Sequence, residues 1–267
     1  MNIRDEVILR ELNLYPLWVR RDTPAEIETQ PDEVINPSGE VAGRDLSRQA
    51  QVEPEKSVGM NPDLQNHSSA TGRLGEQSDW HSLKQQVKSC TACKLRAGCT
   101  QTVFGVGDEK ADWLFVGEGP GADEDAQGEP FVGQAGKLLD NMLAAIKLKR
   151  GNNVYIANIV KCRPPNNRTP EADEIATCLP YLQRQIALIQ PKLIVALGKT
   201  AANALMGKDA TLSSLRGKLH DYHGRPLLIT YHPAYLLRSP SEKARAWEDL
   251  KRAVNTMCEL KGQTTLE

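Results

Sequence analysis

From residue 79 onward, short apolar runs alternate with longer stretches in which apolar residues recur every three or four positions. The apolar runs predict four buried strands, which cover residues 112–117, 153–160, 192–198 and 226–230. The amphipathic stretches predict helices between these strands and after the last one. Strands that are apolar throughout and alternate with helices are typical of a parallel sheet covered on both faces. The pattern therefore predicts an α/β fold, a three-layer α/β/α sandwich with a four-stranded, mostly parallel sheet.

Composition divides the 267-residue chain into three segments. Residues 23–78 contain no aromatic residue and are rich in Pro, Glu, Gln, Asn, Ser and Gly, so they cannot bury enough apolar surface to fold. We expect a disordered linker there, between a short helical peptide at 1–22 and a folded domain at 79–267. The net charge is −1, but residues 1–78 carry 14 acidic and 8 basic residues, which leaves the folded domain moderately basic. That charge permits a polyanionic partner.

The peptide at 1–22 places Ile3, Val7 and Leu12 at helical spacing and continues past a proline to Trp18. A short amphipathic segment followed by a Trp is typical of a docking element. With its Arg-Asp pair, its helix and its paired arginines, the peptide resembles the N-terminal peptide of the psi subunit of the bacterial replicase, which binds the clamp-loader core. The resemblance implies a replisome or clamp-loader partner; the alternative is a helix that packs against the folded domain.

A loop rich in Gly and Pro follows the first predicted strand and covers residues 117–140. Loops at the carboxyl ends of parallel strands form the usual site of an open α/β sheet. The glycines allow a ligand to approach the backbone closely, Phe131 offers a flat apolar face, and Glu118 offers a carboxylate. Because the second and fourth strands end at the same edge, Asn158 and His232 are predicted to converge with Glu118. The alternative is a Rossmann-type turn with a packed Phe, a strand-end Asn and a structural His.

Cys90 and Cys93 form a Cys-x2-Cys pair in a chain that has six cysteines. No signal peptide is recognisable, so we expect a cytoplasmic protein whose cysteines are metal ligands or free thiols. Cys162 and Cys178 are the predicted partners in a four-thiolate site, which suits either zinc or an iron–sulfur cluster. Cys99 is a rival ligand, and a cysteine on the last predicted helix is expected to be packed or free. The alternative is a redox-active or incidental Cys-x2-Cys pair.

Three segments and the cysteine set together resemble the motifs of family 4 uracil-DNA glycosylases. The segments are GEGPGADEDAQGEPFVGQAGKLLD (117–140), NIVKCRPPNNR (158–168) and YHPAYLLR (231–238). The resemblance covers most of the predicted folded domain and implies the uracil-DNA glycosylase-like fold. It also implies an enzyme that flips uracil out of DNA and hydrolyses its N-glycosidic bond, leaving free uracil and an abasic site in base excision repair. The cofactor it implies is a [4Fe–4S] cluster held by Cys90, Cys93, Cys162 and Cys178.

The same resemblance implies a role for each site residue. Phe131 would stack on the flipped uracil, Asn158 would read its Watson–Crick edge, and His232 would stabilise the departing uracil anion. The residues expected to line the pocket beside them are Gly117, Gly119 and Glu118, of which Glu118 is also a catalytic candidate. The residues expected to contact DNA are Arg163, Leu236, Leu237 and Arg238.

Gly119 stands where the more distant family 1 enzymes have a water-activating Asp, which leaves Glu118 or Asp125 as a partial substitute. No lysine in these loops is an evident nucleophile, which predicts a monofunctional glycosylase without strand cleavage. We expect a monomer that acts on uracil-containing DNA in the bacterial cytosol or nucleoid and does not bind membranes, because its apolar runs are short. One alternative is a non-catalytic DNA-binding accessory replication protein with a glycosylase-like fold. Another couples covalently to the abasic sugar through a histidine, with His220 and His223 as the nearby candidates.

Overall fold

The computed structural model describes residues 80–262 of the chain. The predicted helical peptide at 1–22 and the predicted linker at 23–78 lie outside the described residues, as do the two ends of the predicted 79–267 domain. Among the helices of the described part, none is long and apolar enough to cross a membrane.

One sheet of six strands forms the centre of the described residues. The strands are β1 (Val106–Gly107), β2 (Trp113–Gly117), β3 (Val154–Asn158), β4 (Leu193–Leu197), β5 (Leu219–Tyr222) and β6 (Arg225–Thr230). Their order across the sheet is β1-β3-β2-β4-β6-β5. The four inner strands run parallel, whereas β1 and β5 pair antiparallel at the two edges. The carboxyl ends of β2, β3 and β6 therefore lie at the same edge of the sheet, where a site is expected.

The sequence predicted the four inner strands and missed the two at the edges. Neither edge strand is an apolar run. β1 has only two residues, one of which is Gly107, and β5 buries only Tyr222 while His220 and Asp221 remain at least partly exposed. The predicted four-stranded sheet is thus corrected to six strands, because strands with one neighbour and an open side carry little of the apolar signal.

Helices cover both faces of this sheet. The helices are α1 (Trp80–Lys88), α2 (Leu95–Gly98), α3 (Ala122–Gln127), α4 (Gln134–Ala145), α5 (Ala172–Ile189), α6 (Lys199–Met206), α7 (Leu212–Leu215), α8 (Pro233–Arg238) and α9 (Lys243–Leu260). Side chains alternate along β2, so Leu114 shares a core cluster with Leu182 of α5, whereas Phe115 shares another with Met257 of α9. Helices α5 and α6 belong to the first cluster, and α4 and α9 to the second. This is the predicted three-layer α/β/α sandwich.

Candidate active site

A cavity of about 470 Å³ lies at the carboxyl ends of β2, β3 and β6. Its walls come from the glycine-rich loop after β2, from the end of β3 and from the start of α8, which follows β6. Glu118, Phe131, Asn158 and His232 all line it, so the structure brings these four predicted residues together. Further lining residues are Gly119, Glu124, Ala135, Arg168, Tyr235 and Arg238.

The pairing of β2 with β3 places Gly117 opposite Asn158; Asn158 lines the cavity, whereas Gly117, which was predicted to line it, does not. A Cβ atom on Gly117 would lie 2.4 Å from Asn158 Oδ1 and 2.5 Å from the Phe131 ring, so only glycine fits between them. Asn158 is 2 % exposed, and its Oδ1 atom has no hydrogen-bond partner among the described residues. The buried ammonium of Lys161 donates to the Asn158 carbonyl oxygen at 2.9 Å and fixes the strand end. A buried amide oxygen without a partner is costly, and it is therefore an acceptor ready for a ligand.

Phe131 has a left-handed backbone with a φ of 57°, which costs a residue other than glycine about 1–2 kcal/mol. Its ring is buried, and the ring centroid lies 5.5 Å from that of His232. Gly136, in the first turn of α4, packs directly behind it, since a Cβ atom there would lie 1.8 Å from the Phe131 carbonyl oxygen. The surroundings therefore hold the ring at the cavity wall in a conformation that the isolated segment disfavours.

His232 is the N-cap of α8, and its Nδ1 atom accepts a hydrogen bond from the Ala234 N–H group at 3.2 Å. A ring nitrogen that accepts carries no proton, so the neutral imidazole has its proton on Nε2. Burial, followed by the charge of Arg238, lowers the pKa of His232 to about 4. Gly198, which has a φ of 92°, packs behind His232. A Cβ atom on Gly198 would lie only 2.9 Å from His232 Cβ. At neutral pH, His232 is an uncharged donor in a fixed position.

Three of the carboxylates of the glycine-rich loop, Glu118, Glu124 and Asp125, have different surroundings. Glu118 lines the cavity and accepts a hydrogen bond from the Thr200 hydroxyl group in the first turn of α6. Glu124 also lines it, but its oxygens accept hydrogen bonds from backbone N–H groups of the loop itself, at 2.9–3.1 Å. Asp125 accepts hydrogen bonds from two backbone N–H groups of the segment after α2, and it does not line the cavity. Of the two candidates predicted to position water, Glu118 is the one that lines the cavity.

The structure separates the four residues predicted to contact DNA. Arg238 lines the cavity, and Leu237 next to it is 44 % exposed. Leu236 is only 1 % exposed and packs in a core cluster with residues of α4 and α9, so it has no surface to offer to DNA. Arg163 lies outside the lining, and its Nε atom donates to Asn167 Oδ1 at 2.8 Å.

A second cation at the cavity wall is Arg168, which forms a fork with the Glu174 carboxylate at 2.8 and 2.7 Å. The Glu174 side chain is completely buried, and the Arg168 hydrogen bond is the main cause that lowers its pKa to about 2. Glu174 also accepts the Glu171 N–H group at 2.7 Å and so closes the cap of α5. For this reason α5 begins at Ala172.

All six cysteines lie within the described residues and are free thiols. Cys162 and Cys178 are buried, and burial is the main cause that raises the pKa of each. The neighbouring Cys99, Cys178 and Cys93 thiols raise the pKa of Cys162 further, and Cys93 and Cys90 raise that of Cys178. The four predicted ligands therefore lie near one another, together with Cys99. The Lys161 backbone N–H group donates to Cys178 Sγ at 3.2 Å.

Cys99 therefore adjoins this group, and its thiol is buried. Cys258 lies on α9, which packs on the other face of the sheet. Within residues 80–262, no three side chains of His, Cys, Asp or Glu are arranged as a compact site for one metal ion.

Two residues that hold the site were not singled out from the sequence. Thr200 bonds to Glu118 from α6, and Arg150 bonds to the backbone of Phe131 from the turn before β3. Neither belongs to a motif, and each reaches the site across the fold, so no local spacing signals its contact.

A family model described as the Uracil DNA glycosylase superfamily matches residues 104–251, which contain all six strands and the lining residues of the cavity. The chain belongs to this superfamily.

Within it, the chain is similar to several enzymes named Type-4 uracil-DNA glycosylase. The one from Thermotoga maritima is 45 % identical over 175 residues, which are 64 % of this chain and 91 % of that protein. The one from Archaeoglobus fulgidus is 42 % identical over 193 residues, 69 % of this chain and 96 % of that protein. These relatives confirm the resemblance to family 4. The DNA polymerase of Bacillus phage SP01 is 33 % identical over 147 residues, 55 % of this chain and 16 % of that protein.

Proposed function

We infer that this protein is a uracil-DNA glycosylase, a hydrolase of base excision repair that breaks the bond between N1 of uracil and C1′ of deoxyribose. One observation carries the inference: an uncharged imidazole, an unpartnered buried amide oxygen and an aromatic ring converge in a single cavity. The names of the Type-4 relatives support the same reaction. The hydroxyl group of the attacking water ends on C1′ and its proton balances the departing uracil anion, so the products are uracil and an abasic site.

We propose that the flipped uracil stacks on Phe131 while Asn158 pairs with its polar edge. Uracil N3–H donates to Asn158 Oδ1, the buried oxygen without a partner, and the Asn158 amide group donates to uracil O4. Cytosine presents an acceptor at N3 and a donor at N4, so an amide fixed in this orientation rejects it. Gly117 and the Lys161 contact keep the amide in place. The cavity thus selects uracil over the base from which it arises by deamination.

The departing base is stabilised by His232. Cleavage leaves negative charge on uracil, and the Nε2–H group is the imidazole donor available to uracil O2, since Nδ1 is bonded to the Ala234 N–H group. Because His232 stays neutral down to a pH of about 4, the donor keeps its single proton under physiological conditions. One fixed donor of this kind contributes roughly 3–4 kcal/mol to catalysis.

We propose that Glu118 orients the attacking water. It is the carboxylate of the cavity whose oxygens are not taken up by backbone N–H groups of the loop, and the Thr200 hydroxyl group fixes it from one side. Gly119 stands in place of the Asp of family 1 and has no side chain that could orient water. The neighbouring Glu118 is the carboxylate available for this role. Once positioned by Glu118, the water attacks C1′ as positive charge develops on the sugar.

The reaction is proposed to be monofunctional. A glycosylase that also cleaves the strand needs an amine nucleophile at the sugar. Lys161 follows Asn158 closely, but its ammonium is fully buried and donates to the Asn158 carbonyl oxygen and to Gln185 Oε1. It therefore has no path to C1′. Sodium borohydride should trap no covalent complex between the enzyme and abasic DNA.

We propose that Cys90, Cys93, Cys162 and Cys178 hold a [4Fe–4S] cluster. Burial and their neighbours raise the pKa values of Cys162 and Cys178, and iron offsets that cost because it binds the thiolate form. The N–H bond from Lys161 to Cys178 Sγ is of the kind that supports cluster thiolates. The bound cluster supplies a structural cross-link between the Cys-x2-Cys loop, the segment after β3 and α5.

The decisive experiment measures uracil release from a U·G duplex by the iron-loaded protein and by a His232→Ala, Asn158→Ala double variant. The visible absorption of both samples controls for folding and cofactor content. We expect the wild type to release uracil. We expect the double variant to release none while its visible absorption is unchanged. If the loaded wild type released no uracil, the glycosylase assignment would fail, and a non-catalytic DNA-binding role would be tested next.

We further propose that the protein is a cytoplasmic monomer and that it binds a component of the replication machinery. The replisome partner rests on the resemblance of residues 1–22 to the psi-subunit peptide, which binds the clamp-loader core. Capture of clamp-loader subunits by the full chain, but not by a Trp18→Ala variant of equal glycosylase activity, would support it. Equal capture by both forms would argue against it.

A further inference from the structure

Arg150 lies in the turn that precedes β3 and outside the lining of the cavity. Its guanidinium group donates from one terminal nitrogen to the Pro130 carbonyl oxygen at 2.8 Å and from the other to the Phe131 carbonyl oxygen at 2.7 Å. The remaining Nε–H group donates to Asp140 Oδ1 on α4 at 3.0 Å. One planar side chain thus holds two consecutive carbonyl groups and is itself held by a carboxylate.

The backbone conformation of Phe131 requires such support. Its φ of 57° belongs to the left-handed region, which a bulky aromatic residue adopts only when its surroundings impose it. On one side of its carbonyl group, Gly136 leaves no room for even a methyl group. On the other side, Arg150 supplies the hydrogen bond that the carbonyl oxygen would otherwise seek from water or from another conformation. With both contacts in place, the ring centroid lies 5.5 Å from that of His232.

We propose that Arg150 is a positioning residue of the uracil site, which fixes the strained backbone of Phe131 so that the ring is ready to stack on the flipped base. The proposal rests on the proposed glycosylase function and deepens it. Arg150 does not touch the substrate; it acts through Phe131. Lysine cannot replace it, because an ammonium group lacks the planar fork that reaches two carbonyl oxygens and Asp140 together.

The kinetic test is a double-mutant cycle with Phe131→Ala. Arg150→Ala is expected to lower kcat/KM roughly 10- to 100-fold in the wild-type background, since small misplacements of a binding group have effects of this size. In the Phe131→Ala background the same change should alter kcat/KM less than about 2-fold, because the ring it positions is gone. Arg150→Lys should resemble Arg150→Ala. Lys149→Ala removes an exposed positive charge at the preceding residue and is the matched control. Its kcat/KM should stay near that of the wild type.

Equal losses in both backgrounds would overturn the proposal, because Arg150 would then act on DNA binding or stability and not on Phe131. Full activity of Arg150→Lys would overturn it as well. A wild type that released no uracil would instead refute the proposed function and leave the structural claim to a second measurement.

That second measurement does not depend on turnover. The chain has three phenylalanines, so fluorophenylalanine labelling gives three fluorine resonances in the folded protein, and Phe131→Leu identifies the relevant one. Arg150→Ala is expected to shift or broaden the Phe131 resonance alone, while Lys149→Ala leaves all three unchanged. An unperturbed Phe131 resonance in Arg150→Ala would refute the proposal even if activity had fallen.

Discussion

The neutral state of His232 affects stability as well as catalysis. Protonation of Nδ1 would break its bond with the Ala234 N–H group and would leave a buried cation near Arg238. The nearby Glu124 offsets this only in part, so the folded protein takes up the proton near pH 4. The unfolded chain takes it up near the ordinary histidine pKa of about 6.5.

Between these two values the unfolded state binds more protons than the folded state, so stability should fall as the pH is lowered. For His232, a pH of about 4.5 should cost about 2 kcal/mol relative to pH 7. Urea unfolding of the wild type and of His232→Gln at both pH values measures this contribution. The variant should lose less stability on acidification by that amount, and identical losses would show that His232 titrates normally.

Gly117 determines how the Asn158 amide and the Phe131 ring pack beside the cavity. A methyl group at this position would collide with both the Asn158 amide and the Phe131 ring. We predict that Gly117→Ala lowers kcat/KM at least about 100-fold, because both base-contacting groups are displaced. Gly98→Ala is the control, since a Cβ atom there meets only Pro165, at 4.0 Å. Uracil release from a U·G duplex measures both variants, and comparable activity of the two would contradict the packing argument.

Among the elements, the start of α5 connects two functional regions. Glu174 bonds to Arg168 at the cavity wall, and Glu171 pairs with Lys94, which follows Cys93 directly. One helix terminus therefore supports both the wall of the base pocket and the Cys-x2-Cys loop. Removal of its buried carboxylate should affect both.

We predict that Glu174→Gln lowers the free energy of unfolding by about 2–3 kcal/mol, because it leaves the Arg168 charge only half paired. Asp173→Asn, which changes an exposed carboxylate of the same turn, should cost less than about 0.5 kcal/mol. Urea unfolding at neutral pH compares the two. The difference should disappear as the pH falls towards about 2, where Glu174 becomes protonated in the wild type. A difference that persisted there would point to packing instead of charge.

At the scale of the whole molecule, the sequence predicts the elements whose burial in a parallel sheet requires apolar residues. The inner strands are continuous apolar runs, and Glu118, Asn158 and His232 follow from their positions at the strand ends. The edge strands β1 and β5 leave no such pattern because water reaches one side of them. Arg150 and Thr200 escape prediction for another reason. Each acts on a residue far away in the chain, and only the folded topology brings the partners together.

The cysteine group links distant parts of the chain and invites a global test. Cys178→Ser is expected to abolish bound iron and visible absorption and to lower the melting temperature, because one of four ligands is lost. Cys99→Ser and Cys258→Ser should retain iron, since neither belongs to the predicted ligand set. Iron analysis of these three purified variants and of Cys162→Ser checks this directly. Loss of iron in Cys99→Ser with retention in Cys162→Ser would reassign the fourth ligand.

The absence of a side chain at Gly117 also limits how the enzyme can be re-engineered. Glycine is already the smallest residue, so no substitution at this position can make room for a bulkier base. A laboratory selection for excision of modified or purine bases would have to gain volume at the rim. Tyr235 is a large lining side chain that is 40 % exposed, and it is the position where such a selection should first accumulate smaller residues.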